Sequence, residues 1–110
     1  MSNADVLCDG KLAIATVSQE DFDRFNADDE SIGAIVTELR DIDTVEVAFV
    51  LRETSNNKIR VNIRSKSYFD CSGFAEGFGG GGHKNASGMS RDGKLDTLIP
   101  EIVKEFSKIL

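Results

Sequence analysis

One histidine and two cysteines in 110 residues remove several answers before any motif is considered. His83 alone cannot build a histidine-based metal cluster. Cys8 and Cys71 have neither metal-ligand spacing nor the density of a secreted disulfide scaffold, so no metal site is expected in this chain. A reduced, cytoplasmic chain is the resulting expectation. No apolar run approaches the roughly 20 residues of a membrane span, and no basic start leads into an apolar core as in a signal peptide. No Walker loop is present, and no Gly-x-Gly-x-x-Gly follows a strand with an acidic residue at the right distance. Repeats, heptads and low-complexity segments are missing too. The net charge of −6 argues against a nucleic-acid binder held mainly by bulk electrostatics.

What remains is an ordinary globular composition, 40% hydrophobic and 29% charged, on a chain sized for one two-layer core. Ser2-Asn3-Ala4 after the first Met reads as a cloning remnant, which leaves residues 5–110 as a single domain. Charge is unevenly spread. Residues 18–46 carry ten acidic side chains against two arginines, whereas residues 52–66 carry Arg52, Lys58, Arg60, Arg64 and Lys66 against Glu53. A local basic face on an acidic protein suits a small anionic ligand or a short oligonucleotide.

Hydrophobic periodicity sets the element order. Residues 11–17 read as a buried strand. Ser18, with Asp21 three residues on, starts a short helix through Phe22 and Phe25. Ile32, Ile35, Val36 and Leu39 form the stripe of an amphipathic helix. The period then changes to two: residues 45–52 and 58–64 alternate on either side of the turn Thr54-Ser55-Asn56-Asn57, a hairpin that collects basic residues on one surface. Asp70 caps a short helix through Phe74 and Ala75 to Phe78, stopped by Gly79. Residues 86–90 form one more short strand. Leu95, Leu98, Ile99, Ile102, Val103, Phe106 and Ile109 form a core-packing stripe on a last helix, with Pro100 expected in its first turn. The fold class is α/β (α+β), a mixed sheet of about four to five strands with helices packed on it.

Gly79-Gly80-Gly81-Gly82-His83-Lys84-Asn85-Ala86-Ser87-Gly88 is the stretch that points to chemistry. Four glycines in a row sacrifice backbone entropy and contribute no packing. They serve as a hinge, or as a concavity of backbone N–H groups that receives an anion. His83 and the small residues after it favour a phosphate or carboxylate cradle.

Val61-Asn62-Ile63-Arg64-Ser65-Lys66, a short helix, and then Phe78 through Gly88 resemble the DHH-associated domain, type one, the C-terminal half of DHH-family phosphoesterases. The resemblance runs from Lys11 to Leu110 and is strongest to the nanoRNase and phosphoadenosine-phosphate phosphatase branch, which also includes cyclic-dinucleotide phosphodiesterases. It implies a substrate-binding domain whose missing N-terminal DHH partner domain holds manganese and performs hydrolysis, so no catalytic and no metal-binding residue is assigned in this chain. It further implies that Gly80, Gly81 and Gly82 meet a substrate phosphate through their amides, that His83 and Arg64 bind phosphate oxygens, and that Ser65 adds a hydroxyl. Lys66 and Lys84 stay open between ligand contact and surface charge, and Tyr68 or Phe69 between base stacking and core. The implied ligand is a short oligoribonucleotide or nucleotide. Two other readings stay open: a stand-alone nucleotide-binding regulatory module, and the nucleic-acid-binding domain of a RecJ-like exonuclease.

Overall fold

The computed structural model describes residues 3–24, 28–54, 57–77 and 79–108. Its elements are β1 (Asn3–Leu7), β2 (Leu12–Val17), α1 (Gln19–Arg24), α2 (Asp29–Arg40), β3 (Val47–Glu53), β4 (Lys58–Ser65), α3 (Cys71–Glu76), β5 (Gly81–His83), β6 (Ala86–Asp92) and α4 (Leu95–Ser107). They form one six-stranded mixed sheet in the order β1-β2-β3-β4-β6-β5. Only β2 and β3 run parallel, joined by the α1–α2 crossover; the other neighbours are antiparallel.

β2 and β3 lie at the centre and are buried on both faces, which explains their nearly unbroken apolar sequence. On one face Ala13, Ala15, Val17, Ala48 and Val50 pack against Ile32 and Val36 of α2. On the other, Ile14, Phe49, Ile59, Val61, Ile63 and Met89 pack against α3 and α4. Leu98, Ile102 and Phe106 bury the inner stripe of α4. Phe69 joins the loop after β4 to this core, with ring centroids 6.1 Å from Phe49 and 5.7 Å from Phe106.

Two strands exceed the sequence expectation. β1 includes Asn3 and Ala4, which the sequence reading set aside, and pairs Asn3–Leu7 with Thr16–Leu12. Its turn places Cys8 and Asp9, as well as Gly10, at positive φ, a conformation that a cysteine does not advertise. β5 falls inside the glycine run itself. Pro100 is also displaced: it stands in the second turn of α4, not the first. It has no N–H to give the Asp96 carbonyl four residues back, and that residue is exposed to water. The expectations for Phe25, Ser55, Asn56, Phe78 and Ile109 fall outside the described residues.

The core assigns a stability test to α4. Phe106→Ala removes a fully buried ring and should lower unfolding free energy by about 3–5 kcal/mol. A denaturation midpoint equal to that of the parent would contradict this packing.

Candidate functional site

β4 has one apolar and one polar face. Ile59, Val61 and Ile63 enter the core beneath α4, so Arg60, Asn62 and Arg64 stand on the opposite face, the one shared with α2. The register extends that face outward. Arg64 lies beside Ala86, which pairs with His83, and Asn62 lies beside Gly88, which pairs with Gly81. Beyond α2 the sheet surface is therefore paved with small residues and rimmed by cationic and polar ones. The result is a shallow trough of about 360 Å³ lined by Arg60, Asn62, Arg64, Gly81, Gly82, His83, Ala86, Ser87 and Gly88. Among the described residues, no carboxylate lines it.

The glycines divide the work differently from a nest of amides. α3 ends at Glu76, with Gly77 as its C-cap, earlier than the sequence predicts; Gly79, at φ +84°, follows it, with its N–H bonded to the Glu76 carbonyl (3.1 Å) and the Gly80 N–H to that of Ala75 (2.8 Å). That is the Schellman arrangement of a helix terminus. A Cβ on Gly80 would stand 2.4 Å from the Gly88 carbonyl oxygen, and one on Gly82 2.7 Å from that of Ala86. Both glycines let β5 approach β6 closely. A Cβ on Gly81 would meet nothing within 4 Å. Gly81 is the bare floor.

The structure thus brings Arg64, Gly81, Gly82 and His83 to one concavity. Gly80 lines no part of it, and its amide is already bonded to α3. Ser65 is placed on the other side of the sheet. Only 2% exposed, it donates its hydroxyl hydrogen to the Phe69 carbonyl (2.8 Å) and accepts from Asn85 Nδ2 (3.0 Å) and Cys71 Sγ (3.3 Å). The reason is strand alternation: a neighbour of Arg64 on β4 must face the opposite way. Lys66 Nζ donates to the Ile42 carbonyl (2.6 Å) on the far side of the loop. Phe69 is core, while Tyr68 is 50% exposed. Arg64 Nη1 donates to the Ile63 carbonyl (2.9 Å), and its Nη2 lies 4.0 Å from where a Cβ on Gly33 would stand, so the guanidinium rests against the flank of α2.

The sequence pattern of the DHHA1 domain family matches residues 9–110. The chain belongs to that family. A crystal structure of an exopolyphosphatase-related protein from Bacteroides fragilis is similar, with a TM-score of 0.85 and 27% identity over 96% of this chain. A pGpG-specific phosphodiesterase from Vibrio cholerae shares the fold, with a TM-score of 0.62 and 12% identity over 96% of this chain. The chain spans only 31% and 34% of those two proteins. DHHA1 domains belong to DHH-family phosphoesterases and normally accompany a DHH domain. Among the described residues, no three His, Cys, Asp or Glu side chains come together. No helix among them is long and apolar enough to cross a membrane.

A buried hydrogen-bond network, invisible in the sequence motifs, supports the rim of the DHHA1 trough from below. Glu46, 5% exposed, accepts from Phe69 N–H (2.9 Å), Ser67 N–H (3.1 Å) and the Ser67 hydroxyl (2.9 Å). It thereby fixes the loop that follows Ser65. Ser65 N–H donates to the Asn85 carbonyl (3.0 Å) and Cys71 N–H to that of Lys84 (2.7 Å), holding the turn directly after His83. Burial alone would raise the Glu46 pKa. The bonds from Phe69, Ser67 and Tyr68 outweigh it and hold the carboxyl below its ordinary value. The available sequence signal was a lone carboxylate between Val45 and Val47.

Because the folded pKa is depressed, the Glu46 contribution is complete above the ordinary glutamate value of about 4.3 and fades as pH falls through the lower, folded one. Glu46→Gln should cost about 1–3 kcal/mol at neutral pH and flatten the acid limb of the stability profile below pH 5. Parallel acid limbs for both proteins in chemical denaturation would contradict this role.

Proposed function

We propose that this chain is the substrate-holding domain of a DHH-family phosphoesterase of the nanoRNase and phosphoadenosine-phosphate phosphatase branch, whose substrates are short RNA, phosphoadenosine phosphate or cyclic dinucleotides. The observation that carries the reading is the meeting of Arg64 and His83, from two different strands, over a floor of bare backbone that, among the described residues, no carboxylate lines. Guanidinium offers a planar fork that matches two phosphate oxygens. An imidazole N–H adds a donor from the facing rim. Such fixed donors orient a phosphate and stabilise charge on it without rearranging during reaction.

In this reading the manganese, and the activation of water that it supplies, belong to the companion DHH domain. This chain binds and orients. Support comes from the length of the two relatives, about three times that of this chain, and from names that both concern phosphate-bearing substrates. Arg64, His83, Gly81 and Gly82 are the residues assigned to the phosphate; Ser65 and Gly80 act behind it, through the loop and the helix end.

The direct test is titration of the domain with adenosine monophosphate or a short oligoribonucleotide while backbone amide shifts are followed. Shifts should centre on residues 60–64 and 81–88, and Arg64→Ala or His83→Ala should each weaken binding about tenfold, the effect of one charge-assisted hydrogen bond. Shifts confined to the acidic 18–46 segment, or variants that bind like the parent, would overturn the assignment.

The division of labour has its own test. Supplied with manganese, the domain alone should show no hydrolysis of short oligoribonucleotides or phosphoadenosine phosphate above background. Turnover that persists through repurification and responds to chelator would place chemistry in this chain.

A further inference from the structure

The face of the sheet away from the trough carries a hollow of its own. It lies between α3 and the last turn of α4, has a volume of about 460 Å³, and is lined by Tyr68, Phe69, Asp70, Gly73, Phe74 and Glu105. Its chemistry is the inverse of the trough's: two carboxylates line it and, among the described residues, no cation does. The phosphate reading uses none of these residues.

The floor is aromatic and held by the core. Phe69, 4% exposed, and the half-buried Phe74 have ring centroids 5.8 Å apart, and both pack on Phe49. Tyr68, half in water, forms the outer wall. Ring faces of this kind attract a cation. Asp70 caps α3 through Oδ1, which accepts from the Ser72 hydroxyl (2.7 Å) and the Gly73 N–H (3.1 Å). These bonds, with a smaller pull from the charge of Lys84, hold the carboxyl below its ordinary range, so it is ionised at neutral pH. Its Oδ2 stands 3.0 Å from where a Cβ on Gly73 would be. Glycine inside a helix costs stability, and no positive φ calls for one at position 73. Its bareness leaves Oδ2 uncovered beside the rings. On the opposite rim, Glu105 Oε1 accepts from Lys108 (3.0 Å), which lines no part of the hollow.

Aromatic faces beside an uncovered carboxylate oxygen match a planar cation. Guanidinium stacks on rings, forks onto a carboxylate and is less strongly hydrated than the ammonium of lysine, so an apolar floor favours it. A leucine would fill the floor but desolvate Asp70 without a partner. A phosphate-bearing ligand would meet two carboxylates. The net charge of −6 adds long-range attraction, which rewards a partner of many positive charges over a free amino acid.

We propose that this hollow is a docking socket for an arginine side chain of a basic protein partner, with the guanidinium between the aromatic floor and Asp70 Oδ2. Its occupant binds on the opposite side of the sheet from the phosphate, so the two sites are tested separately.

The test uses blocked peptides of sequence Gly-Lys-Gly-Xaa-Gly-Lys-Gly, with arginine, lysine, citrulline or leucine at the centre, and free arginine. Each is titrated into the parent chain while backbone amide shifts are followed. The arginine peptide should shift residues 68–74 and 105 and leave 60–64 and 81–83 unmoved. It should bind about tenfold more tightly than the citrulline peptide, and more tightly than the lysine and leucine peptides and free arginine. Asp70→Asn keeps a capping oxygen and Tyr68→Ala alters an exposed ring; circular dichroism checks that both variants keep the fold. Asp70→Asn should weaken the arginine peptide about tenfold and Tyr68→Ala about threefold. Both should leave adenosine monophosphate binding within about twofold. Equal binding of the arginine and citrulline peptides, or unaltered affinity in Asp70→Asn, overturns recognition by charge. Equal binding of the lysine or leucine peptide overturns the choice of arginine, and equal binding of free arginine overturns the protein partner. Shifts that fall in the trough, or nowhere, overturn the socket itself.

Discussion

The register of β4 between β3 and β6 is the constraint from which both the core and the trough follow. Phe49 opposite Ile63 and Val61 opposite Met89 place three apolar side chains of β4 under α4. The same alternation raises Arg60, Asn62 and Arg64 on the other side. A slip of one residue would put three polar side chains into the core and three apolar ones into water. At roughly 1.5–3 kcal/mol for each buried aliphatic side chain, hydrophobic burial therefore fixes where the guanidinium heads stand. Site geometry here is a by-product of core packing, with no separate device needed to aim β4.

β5 lacks that support, because its three residues are Gly, Gly and His and are all exposed. It is secured at its ends and by close backbone approach. The Schellman turn after α3 sets its entry, and Ser65, Cys71 and Asn85 fix its exit. The Ser87 hydroxyl bonds to the His83 carbonyl (2.8 Å). Glu46 extends this tie back to β3 through the Ser67–Phe69 loop. The two strands that carry the trough rim are thus connected twice: by sheet pairing through β6, and by side-chain hydrogen bonds on the face away from the trough.

Much of this was legible in the sequence. The clean alternation of Lys58–Arg64 and the helical stripe of α4 correspond to a real strand and a real helix, because burial on one side writes itself into composition; the 45–52 segment contains a real strand too, but one buried on both faces and so marked by its apolar run. The basic surface of the hairpin was legible for the same reason. Three things were not. β1 depends on a turn with Cys8 at positive φ, for which the residue type gives no sign. Gly80–His83 reads as a loop because glycine reports only that a side chain is unwelcome, and close strand pairing forbids a Cβ as firmly as a bound anion does. Ser65 sits beside Arg64 in a motif, yet neighbours on a strand point to opposite faces. Motif spacing was read there without the pleat.

The floor of the trough is main chain, with Gly81 and Gly88 bare and Ala86 nearly so. In most pockets a large side chain can be trimmed to admit a larger ligand, so their evolution runs in both directions. Here nothing is left to trim. A side chain at Gly81 would project into open space, and every substitution there subtracts volume from the site. The range of ligands in such a trough can be narrowed by the floor but widened only at the rim, where Arg60 and His83 are exposed and belong to neither core cluster.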